Sequence, residues 1–227
     1  MNLNILFEDN HLIVINKEPS QLVQGDQTGD PSLDHVIKEY LKKKYNKPGK
    51  VFLGVVHRLD RPVSGVVVFA RTSKALQRMN RKFKDHEIKK KYWAIVESAP
   101  SEPEATLVHH LKRNRKMNKS MAYDSPQPLT KEASLTYRIS GQSRHYYFMD
   151  ITLHTGRHHQ IRSQLAAIGC TIKGDLKYGA RRSNPDGGIC LHARELEFIH
   201  PVQNKTVTII AEPPDEPLWQ IFKDTSQ

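Results

Sequence analysis

Apolar and polar positions along this chain follow two periods, one of strands and one of helices. Leu3 to Glu8 and His11 to Lys17 are apolar-rich runs joined by Asp9-Asn10, the signal of a β-hairpin. From Pro31 to Tyr45 the period becomes helical, with Leu33, Val36, Ile37, Tyr40 and Leu41 at i, i+3, i+4, i+7 and i+8. Pro31 suits the first turn and Asp30 the cap. After Pro48-Gly49 come two β-branched runs, Val51 to Val56 and Val66 to Ala70, which read as strands buried on both faces. Thr72-Ser73 caps a second helix over Lys74 to Asp85, with Leu76, Met79 and Phe83 inward.

Further strands are expected in KKKYWAIVE, Ala133 to Ile139, Tyr146 to Leu153, LHARELEFIHP and KTVTIIAE. A short helix lies in TGRHHQIRSQLAAIG, with Ile161, Leu165 and Ile168 on its buried face and Gly169 as its left-handed terminus. Asp175 to Gly188, rich in Gly, Asn and Pro, reads as a mobile loop, and Pro214 to Phe222 as a terminal helix. Many strands with few interspersed helices predict a single α+β domain.

Charge narrows the function classes. Lys and Arg number 35 against 24 Asp and Glu, a net +11, which favours an anionic partner. Arg78 to Lys91 carries seven cations and two acids, and His109 to Ser120 carries Lys112, Arg113, Arg115, Lys116 and Lys119 with no acid. Each run alone fits a solvated face; together they suggest a phosphate-binding rim. Cys170 and Cys190 are too few for a disulfide scaffold or a CxxC metal site. Met1 to Asn10 lacks the pattern of a secretory signal, and no apolar run reaches the roughly 18 residues of a membrane span. A reducing, cytoplasmic setting without membrane attachment is expected.

The candidate chemistry sits between the two buried β-branched runs, in His57-Arg58-Leu59-Asp60-Arg61-Pro62. An Asp and two Arg there are costly unless paired or used. A kinase catalytic loop does not fit, because no Gly-rich nucleotide loop precedes it and no Asp-Phe-Gly follows. Arg157, His158, His159, Gln160 and Arg162 crowd one helical turn. Adjacent histidines diverge by about 100° on a helix, and no Asp, Glu or Cys stands at ligand spacing beside them, so no metal is expected there. His109-His110 read as surface histidines.

HRLDRPVSGVVVFART resembles the catalytic motif of the RluA-type pseudouridine synthases. ILFEDNHLIVINKEPSQLV resembles that family's opening hairpin, and KKKYWAIV its Lys-x-Tyr-x-Ala-x-Val strand. TGRHHQIRSQLAAIGCTIKGDLKYG resembles its Gly-Arg-Thr-His-Gln-Ile-Arg helix and following loop, and LHARELEFIHP its Leu-His-Ala strand. The resemblance implies a pseudouridine-synthase catalytic domain, α+β, with a mixed, mostly antiparallel sheet, flanking helices and a central basic cleft. It implies one domain over residues 1–227, without a separate N-terminal RNA-binding domain, and a monomer. The implied activity is isomerisation of uridine to pseudouridine in structured tRNA or rRNA, without cofactor or metal.

In that resemblance Asp60 stands in the place of the nucleophile, Arg162 of the Arg that pairs with it, and Tyr92 of the Tyr that lies on the uracil and moves a proton. Arg58 matches the Arg that enters the RNA stack where the flipped base has left. Leu191 fits either the pocket wall or the core. His57 and Arg157 complete the expected substrate-binding set. Whether the carboxylate first attacks the sugar, attacks the base or accepts a proton stays open. His158 replaces the family's usual Thr, and Gln164 a common His, which bears on which RNA is bound. A non-catalytic RNA-binding ribosome-assembly factor on the same fold is the alternative, and a metal-dependent hydrolase, which chelation would stop, a more distant one.

Overall fold

The two β-branched runs around the polar knuckle lie inside one large sheet. A computed structural model describes residues 3–27 and 29–223. Its strands are β1 (Ile5–Glu8), β2 (Leu12–Lys17), β3 (Gly54–Val55), β4 (Ser64–Ala70), β5 (Lys89–Val96), β6 (Glu104–Asn114), β7 (Lys119–Tyr123), β8 (Lys131–Gln142), β9 (Tyr147–Leu153), β10 (Leu191–Ile199) and β11 (Thr206–Ile210). Its α-helices are α1 (Leu33–Lys44), α2 (Ser73–Lys84), α3 (Gln160–Ala167) and α4 (Pro217–Lys223). The strand order is β1-β2-β4-β10-β5-β9-β8-β6-β7, with β3 on β4 and β11 on β10. Among the described strands only the β4–β10 pairing is parallel, so the sheet is mixed and mostly antiparallel.

Strand β4 shows why its run is apolar throughout. Val67 and Phe69 face α1, against Leu33, Ile37 and Leu41, while Val66, Val68 and Ala70 face α2, against Ala75 and Met79. Ile13 and Ile15 of β2 share the first face, Leu12 and Val14 the second. At about 1.5–3 kcal/mol for each fully buried Val, Ile or Phe, this pair of strands anchors the fold behind the knuckle. A Cβ at Gly65, where φ is +115°, would collide with the Ala193 backbone, so the parallel approach of β10 requires glycine.

Several expectations are corrected. The run Val51 to Val56 is strand only at Gly54–Val55, and Phe52 is exposed. The edge of β4 is shared: β10 pairs at Ser64 and Gly65, β3 at Phe69 and Ala70, and the His57 Nε2 accepts the Val68 N–H between them at 3.1 Å. Ser32, not Asp30, holds the N-cap position of α1, with its hydroxyl donating to Asp34 Oδ1 at 2.6 Å and making no capping bond to a helical N–H. Thr72 caps α2 as expected, its Oγ1 accepting the Ala75 N–H at 3.1 Å. The basic stretch after His109 is a β-hairpin, β6–β7, and His109 itself is buried against the Gln164 side chain. The segment Asp175 to Gly188 is irregular but anchored, with Asp175, Tyr178 and Asn184 buried. No described helix is long and apolar enough to cross a membrane.

Candidate active site

Asp60 sits in a turn whose shape is fixed from several sides. Its carbonyl accepts the Val63 N–H at 3.0 Å, and the Pro62 carbonyl accepts the Ile189 N–H at 3.0 Å. The fully buried Lys17 donates through Nζ to the Glu18 and Arg61 carbonyls, both at 2.9 Å. Burial, partly opposed by the charge of Asp60, pulls the Lys17 pKa down to about 7.

Opposite the turn, α3 presents Arg162. Its Nη1 donates to Asp60 Oδ2 at 3.0 Å, and its Nε and Nη2 grip the two oxygens of Asp175 at 2.7 and 2.8 Å. The Asp60 side chain is 27 % exposed, against 4 % for Arg162 and 1 % for Asp175, so only the Asp60 end of this ion triad can meet a ligand. Burial works against the guanidinium charge, but the bonds to Asp175 and Asp60 more than offset it and raise its pKa.

His159 opens α3 in the left-handed region, at φ 51°, a conformation that costs a non-glycine residue about 1–3 kcal/mol. Its side-chain contacts hold it there. Nδ1 lies 3.0 Å from the Tyr178 hydroxyl, and Nε2 lies 3.2 Å from Arg162 Nη1. Because Arg162 can only donate, Nε2 is an acceptor and the hydrogen sits on Nδ1. Burial and the Arg162 charge push the His159 pKa down to about 2, so the ring is neutral beside Asp60. The Tyr178 hydroxyl accepts the Ser120 N–H at 2.8 Å and donates to the Ser120 carbonyl at 3.2 Å, with Arg162 5.1 Å from its ring centroid. Gln160 fastens the entry to α3, accepting from the Arg157 N–H and the Thr155 hydroxyl and donating to the Ser134 carbonyl.

The floor comes from the sheet. The register pairs Tyr92 with Ala193 and with Ile151, and Leu191 with Ala94. Strand alternation therefore puts Tyr92, Leu191 and Leu153 on the same face. They line one cavity with Arg58, Leu59, Asp60, Val63, Arg157, His159, Gln160, Ile161 and Arg162. Burial, reinforced by Asp60, raises the Tyr92 pKa, so its hydroxyl is a phenol, a donor rather than a base.

Six of the seven residues expected at the site, Asp60, Tyr92, Arg162, Arg58, Leu191 and Arg157, therefore meet at this cavity. Arg58 and Arg157 are exposed at it. His57 does not meet it. Besides its bond to Val68, its ring stacks on Phe83 at 4.8 Å, and burial and Lys90 push its pKa down to about 4. It completes the β4 edge. Lys17, His159, Asp175 and Tyr178 were not expected there. Among the described residues no cluster of His, Cys, Asp and Glu could hold a metal ion.

Residues 11–167 match the RNA pseudouridylate synthase family. The chain is 33 % identical over 230 residues to the ribosomal large subunit pseudouridine synthase D of Xylella fastidiosa, covering 94 % of this chain and 67 % of that protein. It is 33 % identical over 232 residues to the enzyme of the same name in Zymomonas mobilis, covering 97 % and 72 %. The structure of human RNA pseudouridylate synthase domain containing 4 superposes with a TM-score of 0.78 at 21 % identity, covering 98 % of this chain and 92 % of that one, a likeness of fold.

Proposed function

Because the chain belongs to the RNA pseudouridylate synthase family, we propose that it converts one or a few uridines of structured rRNA or tRNA to pseudouridine, with Asp60 as nucleophile and without cofactor or metal. That it is an RNA pseudouridine synthase follows from the family; the target class, the residue roles and the chemistry are the proposal. The ribosomal names of its relatives favour rRNA as the target.

The observation that carries the residue roles is the Asp60–Arg162 contact, 3.0 Å long, on the wall of a cavity that Tyr92 and Leu191 also line. The reaction breaks the bond between uracil N1 and the anomeric carbon, turns the base and joins C5 to that carbon; C5 gives up its proton to a base or solvent, and N1 takes one up. Arg162 holds Asp60 Oδ2, which leaves Oδ1 as the attacking oxygen. The Arg162 guanidinium stays paired with the Asp60 carboxylate when RNA closes the cavity to water. Asp175 holds Arg162 without competing for substrate, being buried. Tyr92, a half-buried phenol, stacks on the uracil and donates through its hydroxyl to it. A base inside folded RNA reaches this cavity only by flipping, and exposed Arg58 fills the space it leaves.

Mapping pseudouridine in RNA from cells with and without the gene tests the function. The expected result is the loss of one or a few rRNA or tRNA positions from the deleted strain, restored by the wild-type gene. An unchanged map would oppose it and favour a binding role on the same fold.

A further inference from the structure

The basic hairpin β6–β7 meets the cavity through His158. This ring stacks on His159 with centroids 3.9 Å apart and planes at 13°. Its Nε2 lies 3.2 Å from Asn118 Oδ1, in the turn between β6 and β7, and its Nδ1 lies 2.9 Å from Ser120 Oγ on β7. Asn118 Oδ1 also accepts from Arg113 Nη2 at 3.2 Å. The amide therefore turns its oxygen to both, and His158 Nε2 carries the hydrogen. The Ser120 hydroxyl gives its single hydrogen to the His158 carbonyl oxygen at 2.6 Å, while its Oγ also packs against Nδ1. The two stacked imidazoles thus face opposite ways, His158 toward the hairpin and His159 toward Arg162.

Three cations gather at the same turn. Arg113 reaches the Asn118 side chain, and Lys177 Nζ donates to the Asn118 carbonyl at 3.2 Å. Lys119 Nζ stands 4.8 Å from the Tyr178 ring centroid. A guanidinium has five donors and an ammonium three, so these contacts leave most of their hydrogens for an anion. The turn is already braced, since Asn114 Oδ1 accepts the Met117 N–H at 3.0 Å and Asn118 adopts φ 45°. A brace of this kind lowers the ordering cost of binding.

We infer that His158 and Asn118 lock the β6–β7 turn into a preformed seat, built by Arg113, Lys119 and Lys177, for a backbone phosphate of the RNA strand next to the uridine in the cavity. His158 is then a positioning residue that sets RNA specificity. The inference rests on the pseudouridine synthase reading for its ligand. A threonine at 158 is too short to span Asn118 and Ser120 together, so the turn unlocks while Asp60 and Arg162 stay in place.

The test uses bulk rRNA from a strain lacking the gene. Binding is measured across a salt series with Asp60→Asn protein, and with the same protein carrying Arg113→Ala, His158→Thr or both; thermal melting checks that each folds. Arg113→Ala, at an exposed position, is expected to make the plot of log affinity against log salt shallower by about one. His158→Thr should weaken binding about as much, roughly tenfold at 0.15 M salt, and the double change no more than either alone. In turnover on 5-tritiated RNA with Asp60 intact, His158→Thr should raise KM about tenfold while kcat stays within about threefold. Additive effects, an unchanged salt slope, or a fall in kcat at constant KM would overturn the seat. A wild type that binds RNA with the expected slopes but releases no tritium would instead remove the enzymatic reading and leave the seat standing.

Discussion

Asp175→Asn isolates what the buried end of the ion triad contributes. Asp175 takes Arg162 Nε and Nη2 at 2.7 and 2.8 Å with its side chain only 1 % exposed. The amide keeps one acceptor, loses the charge, and sets an N–H₂ against a guanidinium N–H. A charge-assisted hydrogen bond contributes about 1.5–3 kcal/mol, and breaking a buried pair outright costs about 3–5 kcal/mol. The retained acceptor places this change near the bottom of that range, at about 3 kcal/mol. For a chain of this size each kcal/mol moves Tm by about 2–4 °C, so Tm should fall by about 6–12 °C. Arg162, held at one end, no longer fixes Asp60, and a displacement of about 1 Å at a reacting group costs about a hundredfold in rate. The assay is tritium release from 5-tritiated RNA at 25 °C under saturating substrate, beside urea unfolding of both proteins. A stability loss under about 0.5 kcal/mol together with turnover within twofold of wild type would refute the reasoning.

Three further outcomes are expected. His192 is fully buried, accepting from the Ser64 hydroxyl and donating to the Ala211 carbonyl, and burial pushes its pKa down to about 4. The unfolded value is about 6.5, so the stability of the neutral ring is fully present above pH 6.5 and fades toward pH 4, by up to about 1.4 kcal/mol per pH unit. Urea midpoints of His192→Gln, which can make both bonds without titrating, should fall less over that window than those of wild type. Lys17, at about 7 in the fold and about 10.5 unfolded, should make stability rise as pH climbs between those values, a rise that Lys17→Met lacks when unfolding is followed at pH 7, 8.5 and 10. Arg58→Ala should lower kcat/KM about tenfold to a hundredfold on folded RNA, and less on a substrate with an unpaired target uridine, since flipping costs a few kcal/mol.

The family resemblance led to Asp60, Tyr92 and Arg162 and to the wall around them, and it carried over because strands and helices convert a motif's spacing into position. Tyr92 and Leu191 share a face through pleat and register, and Arg162 lies on a helix with one buried end. His57 misled because a polar residue beside a catalytic motif is indistinguishable from its neighbours until the open Val68 N–H on the β4 edge is visible. Asp175 and Tyr178 lie in a Gly-rich segment without periodicity, so nothing in it distinguishes a buried ion pair from a mobile loop. Lys17 ends an apolar-rich strand, where a terminal lysine reads as solvated. The β6–β7 hairpin escaped notice because its two strands are mostly only half-buried, and charge then masks the period of two.

The most direct measurement compares wild-type and Asp60→Asn protein on 5-tritiated uridine RNA from cells lacking the gene, scoring tritium release and RNA affinity in the same samples. With Asp60 as nucleophile, wild type releases tritium, and Asp60→Asn releases none while its Kd for RNA stays within about threefold, since a single half-buried carboxylate adds nothing to phosphate binding. Turnover by Asp60→Asn at a rate near wild type would contradict it.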